Sequence, residues 1–319
     1  MVVSNEPNRL VEEILEWKKK RNAVLLAHNY QVPEIQDIAD VLGDSLALAR
    51  AAVKTDADVI VFCGVHFMAE TAAILNPKKT VLLPDLEAGC SLADSITADQ
   101  LRKWKTEHPG AIVVSYVNTS ADVKAESDYC CTSSNAVDIV NSIPKDKDIL
   151  FLPDMFLGNF VKRETGRENI HIWMGECHVH AGIHPHQVDN VFTEHPKAEL
   201  LVHPECGCST SSMYLKSEGV LPGDKTHILS TGNMLKHSKS SKADEFIVAT
   251  ETGIIHQMEK QNPHKQFVAA NPEAVCPFMK MITLDNMLAA LKENKHEITV
   301  PPKTAEQAKL AIDRMISIG

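Results

Sequence analysis

No stretch of the 319-residue sequence approaches the roughly 18 consecutive uncharged apolar residues that a membrane-spanning helix needs. The N-terminal "MVVSNEPNRLVEEILEWKKKRN" also lacks the apolar core of a secretory leader. Both absences lead us to expect a cytoplasmic protein with no membrane partner. An excess of positive charge is missing too, because 32 Lys and Arg stand against 42 Asp and Glu, for a formal net charge of −10. A field of that sign repels polyanions, so non-specific binding of nucleic acid is not expected, and a small anionic ligand would need its own dedicated contacts. No linker rich in Pro, Gly or Ser interrupts the chain, and "KHSKSSKAD" (236–244) is the nearest thing to a mobile loop. Nor do any two cysteines stand in the C-x2-C spacing of a structural zinc site.

What is present is an ordinary globular composition, long enough for two or three compact domains. Short apolar runs rich in β-branched residues alternate with longer patterns of helical period. The runs are "AVLLA" (23–27), "DVIVF" (58–62), "TVLLP" (80–84), "AIVVS" (111–115), "DILFLP" (148–153), "IHIW" (170–173), "ELLV" (199–202), "HILS" (227–230), "FIVA" (246–249) and "QFVAA" (266–270). Runs of this length between helices suit strands buried on both faces, so the pattern predicts an α/β protein with parallel sheets. Helices are predicted, among others, at 33–42, where Pro33 suits a first turn, at 45–53, at 98–107, and in the C-terminal "TLDNMLAALKEN" and "TAEQAKLAIDRMIS". The lysines of "WKKKRN" read as a solvated helix face.

Alignment of strand ends exposes a repeat. "LLAHNY" carries His28 and Tyr30, "VVSYVN" carries Tyr116 and Asn118, and "LLVHPE" carries His203 and Glu205. In each case two polar side chains follow an apolar run with one residue between them, and in extended chain they point the same way. Tyr116 lies 88 residues after His28, and His203 lies 87 after Tyr116. Ser45 and Ser133 each follow their strand-end residue by 17. Each segment then closes on a turn with a lone cysteine, namely Cys90, Cys177 and Cys276. A period near 88 is too long for a solenoid and predicts three similar α/β domains, at 1–95, 96–182 and 183–280, with C-terminal helices over 281–319 packing on them.

Ligands of open α/β sheets bind off the carboxyl ends of the strands, so three such domains around a common axis would gather these residues in one place. That expectation bears on "WMGECHVH" (173–180), where Cys177, His178 and His180 look like part of a zinc site. The repeat instead groups Cys177 with Cys90 and Cys276. Three converging thiolates suit an iron-sulfur cluster, which accepts widely separated cysteines and, with three of them, leaves one iron open. Cys63, Cys130, Cys131, Cys206 and Cys208 have no counterparts in the repeat and read as packing residues. His178, His184, His186 and His195 likewise read as surface or supporting groups. A zinc-dependent hydrolase or lyase, or a non-catalytic redox or iron-sensing protein, would draw on the same thiols.

The motifs "HNYQ.PEIQDIAD..GDSL", "C..AD", "SYVN", "CTSSNAV", "MGECHVH", "HPECGC", "STGNM" and "CP.MK.ITL" together resemble the quinolinate synthase family, over residues 20 to 290. The resemblance implies three similar α/β domains around a pseudo-threefold axis and a 4Fe-4S cluster held by Cys90, Cys177 and Cys276. It implies condensation of iminoaspartate with dihydroxyacetone phosphate, losing phosphate and two waters to close the ring of quinolinate in NAD biosynthesis. Substrate contacts would fall on His28, Ser45, Tyr116, Val117, Asn118, Ser133, His203, Pro204, Glu205 and Thr231. Tyr30 and His180 match further active-site positions, and Tyr30 and Glu205 are the expected proton carriers. Iminoaspartate is unstable, which raises a transient contact with the enzyme that supplies it. Some members carry a C-x2-C-x2-C group at the last ligand, whereas "CPFMKM" offers none, so no regulatory disulfide is expected near Cys276.

Overall fold

The apolar runs become strands with helices on both sides, which is why their residues alternate little and bury on both faces. The computed structural model describes residues 6–319, so the first five residues of the stretch read for a leader, and of the first predicted domain, lie outside the described residues. The chain opens with α1 (Glu6–Lys20), β1 (Ala23–His28), α2 (Pro33–Ile38), β2 (Val41–Gly43), α3 (Ser45–Lys54), β3 (Val59–Cys63), α4 (His66–Leu75) and β4 (Thr80–Leu82). It continues with α5 (Ala98–Glu107), β5 (Ile112–Tyr116), α6 (Ala121–Ala125), β6 (Tyr129–Cys131), α7 (Ala136–Ser142), β7 (Ile149–Leu152), α8 (Met155–Thr165) and β8 (Ile170–Ile172). Next come α9 (His178–Ala181), α10 (Pro185–Glu194), β9 (Glu199–Val202), α11 (Ser209–Ser217), β10 (Thr226–Ile228), α12 (Thr231–Ser240), β11 (Glu245–Ala249), α13 (Ile254–Gln261) and β12 (Gln266–Ala269). Two last helices, α14 (Leu284–Glu293) and α15 (Pro302–Ser317), end the chain.

Each set of strands forms one four-stranded, all-parallel sheet, and the three share one order: β2-β1-β3-β4, β6-β5-β7-β8 and β10-β9-β11-β12. The predicted three similar α/β domains are present as three sheets of identical topology. The register repeats in detail, because Leu26 pairs with Val41 and Val114 with Tyr129, each 88 residues on. Among the described residues no helix is long and apolar enough to cross a membrane.

Three sequence expectations change here. The helix predicted over 33–42 stops at Ile38, and the strands β2 and β6 were not predicted. Asp40 explains the stop: its Oδ2 accepts from the Leu25 amide at 2.8 Å and its own amide donates to the Leu25 carbonyl, so the chain is caught by the edge of β1. Asp128 does the same to Val113 at the edge of β5. Three-residue strands with one apolar pair each carry too little periodicity to show in sequence. The loop expected at 236–244 is helical as far as Ser240, because Ser230 caps α12 through the Asn233 amide and Met234 buries against the core.

The sheets are tied together where helices α3, α7 and α12 begin. Asp44 caps α3 through the Ala47 amide, and its Oδ2 lies 2.8 Å from the Ser134 hydroxyl, which is itself 3.0 Å from the hydroxyl of Ser230. A Cβ at Gly232 would stand 2.6 Å from Asp44 Oδ2, so any larger residue would push this carboxylate off its contacts. Helix α15 lies across α6, β6, α4 and α3, and α14 packs on α1 and β3.

Arg167 closes the second repeat from below. Its buried guanidinium donates to the carbonyls of Val140, Ile143, Pro144 and Lys147, all within 3.1 Å. Arg167→Met would keep the aliphatic packing and strand those acceptors, for an expected loss on the order of 3 kcal/mol. Urea unfolding checks this; an unchanged midpoint would mean that water replaces the guanidinium at no cost.

Candidate active site and metal centre

Residues of all three repeats line one cleft. His28, Tyr30, Ser45, Cys90, Tyr116, Asn118, Ser133, Cys177, His180, His203, Glu205, Thr231 and Cys276 all face it. Val117 and Pro204 do not line it; Val117 is buried near Ser45, Ala49, Phe62 and Met68. The paired polar residues do not sit in extended chain. Tyr30 and Glu205 lie in turns just past β1 and β9, closed by Gln31 N to His28 O and Cys206 N to His203 O, and it is these turns that bring both members of each pair to the cleft.

The three thiols share a local geometry. Cys90 follows β4, Cys177 precedes α9, and Cys276 enters a turn after β12. Each sulfur is faced by the backbone N–H groups two and three residues on: Leu92 and Ala93, Val179 and His180, Phe278 and Met279. Cys63, Cys130 and Cys131 show no such donors. Burial pushes the Cys90 thiol up to about 12 and also raises Cys177 and Cys276. Cys276 adds to the rise at Cys90, and Cys90 to that at Cys177, so Cys90 stands within electrostatic reach of both the others. As free thiols they are neutral; a metal would take the place of their protons.

Beside them lies a buried polar network. Tyr30 Oη is 2.6 Å from Thr250 Oγ1 and 3.3 Å from His180 Nε2, and His180 Nε2 is 2.9 Å from the same threonine hydroxyl. On its other side His180 Nδ1 is 3.3 Å from Cys177 Sγ and 3.6 Å from Glu205 Oε2. Glu205 Oε1 accepts the Tyr116 hydroxyl and lies 3.6 Å from His203 Nδ1, while His203 Nε2 is 3.3 Å from Ser133 Oγ. Burial holds His28 down to about 4 and His180 to about 3, and lowers His203 further from its usual range, so all three rings are neutral in the free cleft. The same burial raises Glu205 to about 7 and keeps the Tyr30 and Tyr116 phenols protonated.

The cluster of Cys177, His178 and His180 thus divides. His178 turns to Ser91, with Nδ1 2.6 Å from its hydroxyl, whereas Cys177, His180 and Glu205 place one ligand atom each within 4.8 Å of one another.

Sequence reasoning missed three supporting groups. Asp154, buried at the end of β7, accepts from the amides of Leu157 and Cys177. Glu251, past β11, accepts from the Cys276 amide at 3.1 Å and pairs with Lys280 at 2.9 Å. Thr250 links Tyr30 to His180. The signal lies in "FLPD" and "VATE", each of which sets a polar residue just past the third strand of its repeat, as the polar pairs follow the first strands.

Three parallel α/β sheets that deliver thiols, neutral imidazoles and a protonatable carboxyl to one cleft define an enzyme with side chains able to hold a metal. The family model described as Quinolinate synthetase A protein matches residues 12–317. A quinolinate synthase of Mycobacterium sp. strain KMS is 58% identical over 307 residues, covering 96% of this chain and 91% of that protein. Those of Mycobacterium tuberculosis and Mycolicibacterium paratuberculosis are each 56% identical, covering 98% and 96% of this chain and 89% and 88% of their own. The chain belongs to the quinolinate synthetase A family, enzymes of NAD biosynthesis.

Proposed function

We propose that this enzyme condenses iminoaspartate with dihydroxyacetone phosphate to form quinolinate, releasing phosphate and two waters, with a 4Fe-4S cluster held by Cys90, Cys177 and Cys276. The observation that carries the reading is the trio of thiols, one per repeat, opening on one cleft and each facing two backbone N–H groups, the kind of hydrogen bonding that tunes cluster sulfurs. Bound there, a cluster with three cysteine ligands supplies an open iron as Lewis acid for a substrate oxygen. A single ion on Cys177, His180 and Glu205 would leave Cys90 and Cys276 without a role.

The chain's own groups divide the remaining work. Glu205, poised near neutrality, takes and returns protons during imine formation and tautomerisation, and Tyr30 donates from a phenol that burial keeps protonated. Among the described residues the cleft lining contains no Lys or Arg, so the anions are met by hydroxyls and neutral imidazoles. Ser45 opens α3, Ser133 precedes α7 and Thr231 opens α12, which aims three helix starts and one hydroxyl from each repeat at the bound ligand. His28 and His203 add N–H donors that an entering carboxylate or phosphate would draw toward the charged form.

Anaerobic purification should yield a brown protein containing iron and sulfide that makes quinolinate from the two substrates. Zinc in place of iron, or iron without quinolinate, would overturn the reading. Work inside the cytoplasm, and a transient contact with the enzyme that supplies iminoaspartate, are part of the proposal.

A further inference from the structure

Away from the cleft, Glu199 on β9, His227 on β10 and His237 in the last turns of α12 meet with one ligand atom each, all within 4.8 Å. Glu199 Oε2 is 2.5 Å from His237 Nε2 and 3.5 Å from His227 Nε2, and the two rings lie 4.1 Å apart. Two features prepare these atoms for an ion. The Ser241 hydroxyl donates to Glu199 Oε1 at 2.8 Å, which fixes the carboxylate and leaves Oε2 toward the rings. His227 Nε2 is shielded from solvent and has no hydrogen-bond partner.

We propose that Glu199, His227 and His237 form a site for one divalent transition-metal ion, zinc in the first place, which staples β9, β10 and α12 together. Two imidazole nitrogens and one carboxylate oxygen are a zinc-type set with a fourth position for water, whereas calcium or magnesium would call for more oxygen. Ligands about 2.0–2.1 Å from a tetrahedral ion stand roughly 3.3 Å apart, close to the His227 spacing. The shorter His237 contact is a hydrogen bond whose proton the ion replaces, letting that edge open. Lys216, a cation near His227, is engaged with the Thr226 carbonyl at 2.8 Å. Because α12 begins at Thr231 in the cleft, an ion at its far end would also fix the helix that carries this hydroxyl. The site stands whether or not the proposed reaction does.

The test is equilibrium dialysis of the cluster-loaded chain against zinc, followed by metal analysis and a thermal melt. About one zinc per chain should be retained with iron unchanged, and the melting midpoint should rise by a few degrees. His227→Gln and His237→Gln should each weaken zinc retention at least about tenfold while keeping their iron. X-ray absorption of the zinc-loaded wild type should show nitrogen and oxygen near 2.0 Å and no sulfur shell, a reading that does not depend on the variants folding. Failure of the wild type to retain zinc, equal retention by both variants, or a sulfur shell with loss of iron would each overturn the proposal; the last would put the ion among the cysteines.

Discussion

Cys177→Ser is expected to purify without the broad visible absorbance of an iron-sulfur protein, with iron at background and no measurable quinolinate formation. The reasoning is geometric. Cys90 and Cys276 alone leave two of four irons without protein ligands, and a serine hydroxyl, far harder to deprotonate than a thiol, does not replace the third. The fold should survive, because Cys177 is half-buried at a helix start and packs at the border of two apolar clusters rather than among their fully buried residues. Circular dichroism and a melting midpoint close to that of the apo wild type would separate loss of cluster from loss of fold. Cys63→Ala is the matching control. Cys63 is fully buried at the end of β3, and burial alone raises its thiol to about 12 with no backbone donor aimed at it, so this variant should keep colour and turnover. Normal iron in the Cys177→Ser protein would contradict the ligand assignment outright.

Much of this architecture was legible because it is repeated. Ten buried strands announced themselves as apolar runs, and the interval of 88 residues between His28 and Tyr116 reappears in the structure as identical sheet order and register. Three cysteines with no close neighbours could be grouped only by that interval, and they do open on one cleft. The remainder was hidden for physical reasons. β2 and β6 are three residues long and are placed by the carboxylates of Asp40 and Asp128 gripping a neighbouring strand, a long-range bond with no local signature. Asp154 and Glu251 are single buried acids whose role is to hold the backbone of a cysteine more than twenty residues further along. The Glu199, His227 and His237 meeting joins positions 28 and 10 residues apart across two strands and a helix, so no spacing rule could have found it.

Glu205→Gln should keep the cluster absorbance and iron of the wild type while losing turnover by at least about 100-fold, the usual worth of a positioned proton carrier. Gln keeps the side-chain volume, and its carbonyl can still accept the Tyr116 hydroxyl, so the cleft should hold its shape. Stability should move the other way. Burial raises the Glu205 carboxyl from its ordinary value of 4.5 to about 7. Between those values the folded state binds more protons than the unfolded one, so wild-type stability falls as pH climbs through this window and the full penalty is present above about pH 7. Glutamine never ionises and carries no such penalty, so at pH 8 the variant should melt no lower than the wild type and its melting temperature should be the less sensitive to pH from 5 to 8. As the base, Glu205 must be ionised, so wild-type kcat/KM should rise through about pH 7 while the residual rate of the variant lacks that limb. A near-normal rate in Glu205→Gln would remove this residue from the chemistry. A variant that is dead, colourless and less stable at pH 8 would instead mean that the carboxyl holds the cleft together rather than moving protons within it.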